Sequence, residues 1–168
     1  FGGTALNRDL SGWQTGKIIS MAYMFKSATR FNGAVGTWDT SRVTSFNEMF
    51  YGASSFNQDL PWDVSSGATF YWMFYDATAF NGNLSGWAFG SEVSSVESMF
   101  RHSGFTGKGV DSWDVSKLTT IYAMFYNAYS FDGDVSTWNT SSVAGNSNSV
   151  FGGTALNRDL SGWQTGKI

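Results

Sequence analysis

Residues 38–60 read WDTSRVTSFNEMFYGASSFNQDL, and the fold is decided by how the apolar residues are spaced within this stretch. Phe46, Met49, Phe50, Ala53 and Phe56 fall at i, i+3, i+4, i+7 and i+10, the spacing that puts side chains on one stripe of a helix. The same spacing returns in Met21, Met24, Phe25, Ala28 and Phe31, in Phe70, Met73, Phe74, Ala77 and Phe80, and in Ile121, Met124, Phe125, Ala128 and Phe131. These recurrences predict one short helix per unit. The segments Leu10 to Thr15, Val35 to Thr40 and Val135 to Thr140 are rich in β-branched and aromatic residues bounded by Gly, Asn and Ser, which predicts one short strand per unit. Trp38 and Thr40 alternate there, as do Trp62 and Val64, and Trp113 and Val115, so like residues are expected to stand above like residues in a parallel sheet.

Working outward from this unit, tryptophans recur about 25 residues apart, at Trp13, Trp38, Trp62, Trp87, Trp113, Trp138 and Trp163. A repeat this short buries no core by itself, so its copies must stack. The expected fold class is an α/β solenoid, leucine-rich-repeat-like, with about six to seven stacked coils. Its core is expected to hold those seven tryptophans with Phe25, Phe50, Phe74, Phe100, Phe125 and Phe151. A longer period lies over the short one. Residues 151–168 repeat residues 1–18, FGGTALNRDLSGWQTGKI, without a change, whereas neighbouring units have diverged. The array is therefore read as a single run over residues 1–168 and as a window on a longer protein built from 150-residue super-repeats. Duplication of one segment to close the stack would leave the same signature.

Composition narrows the function classes. Ten Lys and Arg against thirteen Asp and Glu give a formal charge of -3, and the cations are scattered singly. A phosphate backbone needs clustered cations, so nucleic acid is not an expected partner; no direct membrane insertion is expected either. There is no cysteine, which removes disulfides and thiolate metal sites together. Only His102 could serve as a catalytic histidine; it sits in a polar stretch without a nucleophile elbow, and is read as an exposed surface residue. Neither enzymatic activity nor a cofactor is expected.

Between the two parts of each unit stands an Asx pair: Asn7 and Asp9, Asn57 and Asp59, Asn81 and Asn83, Asp132 and Asp134, Asn157 and Asp159. Such side chains cap backbone groups; a calcium site is the sharper alternative, because stacked carboxylates supply hard oxygens. Departures from the period at Pro61, at Lys108 and Gly109, and between Trp87 and Val93 predict bulges or tightened loops. Ala144 to Ser149, AGNSNS, lacks the apolar stripe and reads as irregular.

The pattern WDxSxVTxMxxMFxxAxxFNxDLSxW, carried here by Trp38, Asp39, Ser41, Met49, Phe50, Ala53, Phe56 and Asn57, and again by Trp113, Asp114 and Ser116, resembles the 25-residue repeat of BspA-like bacterial surface proteins, also abundant in Mycoplasma lipoproteins. The resemblance covers the chain and fades at Val150 to Leu156 and Phe100 to Phe105. It implies a leucine-rich-repeat-like coil and an exported or surface-exposed protein of the kind implicated in adhesion. It transfers no ligand-binding residue.

One face remains anomalous. The predicted outer positions of the helix hold Tyr71 and Tyr75 in one unit and Tyr122 and Tyr126 in another, with Tyr51 in a third and Trp72 beside them. A solvent-facing helix face is normally polar, and Tyr and Trp are favoured where a contact must be both apolar and hydrogen-bonding. Two functions are therefore expected at the cell surface or outside the cell. The first is a structural rod, fibre or coat assembled from the chain itself. The alternative is an adhesin that presents the aromatic face to glycans or host surface proteins.

Overall fold

Successive units lie ring over ring. The computed structural model describes residues 6–93, 95–144 and 147–164. Phe25, Phe50, Phe74, Phe100, Phe125 and Phe151 form one continuous column, with centroid separations of 5.4, 5.5, 5.3, 5.5 and 5.7 Å. Phe31, Phe56, Phe80 and Phe105 form a second, at 5.8, 5.9 and 5.8 Å. The two columns touch inside each unit, as Phe50 and Phe56 do at 3.9 Å and Phe125 and Phe131 at 3.8 Å. The result is one large buried aromatic cluster.

The expected helix and strand are both corrected. Among the described residues the only helical element is a single 3-10 turn, Val110–Ser112, and strand pairing is confined to isolated parallel bridges joining Ser20 to Ser45, Ser45 to Thr69 and Ser95 to Thr120. The apolar stripe is built instead from consecutive β-turns. Met24 N–H donates to Met21 O (3.2 Å), Ala28 N–H to Phe25 O (3.0 Å) and Phe31 N–H to Ala28 O (3.0 Å). The third residues of the first two turns, Tyr23 and Ser27, have φ of 61° and 57°, which is type II geometry. Glu48, Gly52, Trp72, Asp76, Ser98, His102, Ala123 and Asn127 repeat that left-handed conformation in later units.

The intervening N–H groups point along the stack. Tyr23, Phe25 and Ser27 donate to the carbonyls of Asn47, Met49 and Tyr51, and Ser98, Phe100 and His102 to those of Tyr122, Met124 and Tyr126. Half of the N–H groups thus hold the turn and half hold the next unit. Spacing explains why no helix forms. Packed helices sit about 8–10 Å apart, whereas the phenylalanine rings of neighbouring units sit 5.3–5.7 Å apart.

The predicted strand segments are turns as well, closed by Trp38 N–H to Val35 O and Val43 N–H to Thr40 O. Thr15, Thr40 and Thr140 point inward, at most 2% exposed, and the Thr40 hydroxyl donates to Asp63 O at 2.8 Å. Each later tryptophan of the periodic series is fastened to the unit before it: Nε1 of Trp38, Trp62, Trp87, Trp113, Trp138 and Trp163 donates to the carbonyls of Leu10, Val35, Leu60, Leu84, Val110 and Val135.

The Asx pairs cap and link. Asn7, Asn32, Asn57 and Asn81 accept through Oδ1 from the N–H of Asn32, Asn57, Asn81 and Thr106, a side-chain ladder beside the aromatic columns. The second member caps its own turn in most pairs, as Asp9 does for Ser11 and Asp134 for Ser136, whereas Asp59, followed by Pro61, accepts from Asn83 N–H of the next unit. Among the described residues no group of three or more His, Cys, Asp or Glu converges as a metal site would require. Gly33 and Gly82 follow the ladder residues where units approach most closely: a Cβ there would collide with the carbonyl oxygens of Arg8 and Gln58. The inserted residue before Val110 is absorbed by the 3-10 turn, which Gly109 enters at φ 89°. Of the stretch Ala144 to Ser149, Gly145 and Asn146 lie outside the described residues.

Candidate functional site

Phe25, Phe50, Phe74, Phe100 and Phe125 are anchored inside the cluster, so the residue after each emerges at the same place in its unit. These residues are Lys26, Tyr51, Tyr75, Arg101 and Tyr126, all half-buried, and they form a single outer column. Lys26 Nζ lies 4.9 Å from the Tyr51 ring centroid, and Tyr51 stacks on Tyr75 at 4.9 Å. The Arg101 guanidinium fills the next gap, 5.5 Å from the Tyr75 centroid and 4.9 Å from that of Tyr126. A cation between aromatic faces is attracted by the negative face of each ring. His102, expected at the open surface, is half-buried. It meets Tyr75 and Tyr126 edge-on at 5.6 and 6.1 Å, because its backbone occupies the left-handed turn position beside Arg101.

Two members of this column, Lys26 and Tyr51, are shifted by their surroundings. Lys26 donates to Glu48 Oε2, and that hydrogen bond raises the lysine pKa above 10.5. Burial, followed by the neighbouring Tyr75 and Asp76, raises that of Tyr51 above 10.0, so it remains a phenol.

A shallow groove of about 200 Å³ opens where the column meets the next surface position, lined by Tyr51, Trp72, Tyr75, Glu97, Ser98, Arg101 and Tyr122. An adjoining hollow of about 190 Å³ is lined by Arg101, Tyr122, Ala123, Tyr126 and Ser149. The structure thus brings Tyr51, Trp72, Tyr75, Tyr122 and Tyr126 together around Arg101. Tyr71 lies outside both linings, although it is 38% exposed, close to the 40% of Trp72. Arg101 Nε is buried without a hydrogen-bond partner. Aromatic edges, a guanidinium and the Glu97 carboxylate together suit a ligand rich in hydrogen-bonding groups.

Sequence reasoning missed Lys26, Glu97 and Arg101. Their signal was present, because Lys26 and Arg101 occupy the same repeat position as Tyr51, Tyr75 and Tyr126. Reading that position down the period gives Lys, Tyr, Tyr, Arg, Tyr.

Burial of the expected repeat core differs between the middle and the two copies of the 18-residue segment. Trp38, Trp62, Trp87, Trp113 and Trp138 are buried with Phe25, Phe50, Phe74, Phe100 and Phe125. Phe151 and Trp163 are half-buried, and Trp13, a core position by period, is 42% exposed.

A family model described as "Mycoplasma protein of unknown function, DUF285" matches residues 1–106 and again, in an overlapping stretch, residues 95–168. No curated protein and no solved structure matches the chain.

Proposed function

The chain belongs to the DUF285 family, and on that premise we propose that it is an extracellular structural protein, a leucine-rich-repeat-like solenoid of the BspA-like kind that builds a rod, fibre or surface coat. The observation that carries this reading is the set of six tryptophan Nε1 bonds, each tying one unit to the one before. An arrangement in which every unit offers its successor the same acceptor has no intrinsic stopping point, and head-to-tail contact of that kind generates filaments. The test is negative-stain imaging of the concentrated chain. Elongated particles of uniform width are expected, and fields of short particles at every concentration would overturn the reading.

A second reading, an adhesin, is favoured by the groove around Arg101. Its aromatic edges, guanidinium and carboxylate suit glycans or a host surface protein. Tyr75→Ser and Tyr126→Ser should abolish glycan-array or cell-adhesion signal while thermal unfolding is nearly unchanged. Retention of the signal in both variants would reject this face.

A further inference from the structure

Among the described residues only two cations are half-buried, Lys26 and Arg101, while the others lie exposed. Both belong to the outer column, yet their charges are met differently. Lys26 is neutralised by Glu48 of the next unit. Arg101 takes part in neither ion pair of the described residues, its guanidinium makes no hydrogen bond to them, and its Nε is buried without a partner. Tyr75 and Tyr126 hold that guanidinium between them at 5.5 and 4.9 Å, in one place.

The repeat explains the missing partner. Ala123 stands before Tyr126 as Glu48 stands before Tyr51. Both take the left-handed turn position, with φ of 50° and 52°, and both N–H groups donate along the stack, to Asn148 O at 3.1 Å and to Tyr71 O at 2.9 Å. Arg101 thus faces a methyl group where Lys26 faces a carboxylate. The hollow of about 190 Å³ lined by Arg101, Tyr122, Ala123, Tyr126 and Ser149 opens at this point. It is the place of a carboxylate that this chain does not supply.

The surroundings narrow what could bring one. Tyr122 and Arg101 are shared with the neighbouring groove, where Glu97 adds an acceptor. An acceptor so near demands that the ligand carry hydrogen-bond donors beside its negative charge, as the hydroxyl groups of a sugar do. Trp72 is 40% exposed and tilted 55° and 60° against Tyr51 and Tyr75, so it is no rung of their stack and suits the apolar side of a sugar ring. Each hollow is smaller than the roughly 300 Å³ at which pockets for drug-sized ligands begin. One sugar residue is therefore held, and not a long stretch.

We propose that Arg101 receives the carboxylate of an acidic sugar above Ala123, with the sugar's hydroxyl groups directed to Tyr122 and Glu97. The inference rests on the adhesin reading above and names its ligand. A guanidinium meets a carboxylate through two parallel hydrogen bonds, and one already clamped between two rings loses little freedom on binding.

The full chain and its variants are titrated by calorimetry with sialyllactose, a glucuronate-terminated disaccharide, lactose, carboxyl-reduced sialyllactose and a glutamate-rich peptide. Either acidic sugar should bind at least about tenfold more tightly than lactose or the reduced sugar. Arg101→Gln should remove that preference. Ala123→Glu places the chain's own carboxylate on Arg101, in a backbone conformation that Glu48 already adopts, and should block the acidic sugars while the thermal midpoint holds or rises. Were Ala123→Glu to misfold, the reduced sugar tests the same contact on the unsubstituted chain.

Equal binding of sialyllactose and its reduced form, undiminished binding by folded Ala123→Glu, or a peptide bound as tightly as the sugars would overturn the inference. If cells or neutral glycans are still held through Tyr75 in that case, the adhesin reading survives without it. If neither glycans nor cells are bound at all, both fall together.

Discussion

The inner and outer columns run along the same stack on the same repeat, yet they are built by opposite means. Phe74 touches Phe50, Phe80, Phe100 and Trp87 at 3.9–6.4 Å and is fully buried. One position along the chain, Tyr75 is half-buried and meets Tyr51, Trp72 and His102, with Arg101 over its face. Inside, stability comes from apolar area removed from water, and aromatic rings serve at every level. Outside, cations are interleaved with rings, and two of the five levels of the outer column hold Lys26 and Arg101 instead of an aromatic. The lesson is that a repeat can fix geometry at a position without fixing chemistry there.

The strongest test of that contrast is Phe74→Ala. Its cavity would open onto rings in three units, and a loss of about 3–5 kcal/mol is expected in urea or thermal unfolding. A loss comparable to that of Tyr75→Ala would break the distinction between the columns. Trp62→Phe keeps a ring in the core but removes the Nε1 bond to Val35 O at 3.0 Å, leaving that carbonyl only the N–H of Trp38. About 0.5–1.5 kcal/mol should be lost; a neutral outcome would show that the tryptophan bonds do not hold the units together.

The third test concerns what was legible in the sequence. The period and the inward tryptophans and phenylalanines could be read from spacing, because stacking demands like residues at like positions. The backbone could not be read. Consecutive β-turns of four residues put their first and last residues on one side, which reproduces the i, i+3, i+4, i+7 signature of a helix. Glycine would have betrayed the left-handed third position, yet Tyr23, Ser27, Glu48, Trp72, Ser98 and Ala123 hold it in company with Gly52. The outer column was half legible, because its tyrosines are conspicuous while Lys26 and Arg101 look like ordinary surface cations until they are aligned by period. Ser27→Gly separates turn from helix by sign. At φ 57° and an exposed position, glycine relieves left-handed strain of about 1–2 kcal/mol, part of which its greater unfolded-state freedom offsets. A net gain of roughly 0.5–1 kcal/mol is expected by thermal unfolding, whereas glycine inside a helix would lose about 1 kcal/mol.

Arg101→Ala probes the outer column directly. Two cation–π contacts at a partly exposed site are worth about 0.5–1 kcal/mol each, and relief of the buried, unpartnered Nε works against their loss. The expected cost is below about 1 kcal/mol, measured by denaturant titration. A cost on the scale of Phe74→Ala would place Arg101 among the groups that hold the fold.

Acid titration should have the smallest effect per site. Asp9, Asp39, Asp63, Asp114, Asp134 and Asp159 each accept from the N–H of a serine two residues on, and the hydroxyl and N–H of that serine hold the carboxyl pKa below the ordinary 3.8. With the folded value depressed, this stability is fully present above the unfolded pKa and is lost as pH falls through the lowered folded values. The thermal midpoint should therefore be level from about pH 8 to 5 and decline only below about pH 4. Asp39→Asn should make that decline shallower, because the Asn83 amide already performs the same cap on Ser85 N–H at 2.9 Å without a charge. A steep fall above pH 5 would mean that charges, and not buried rings, hold the units together, and the contrast between the two columns would be lost.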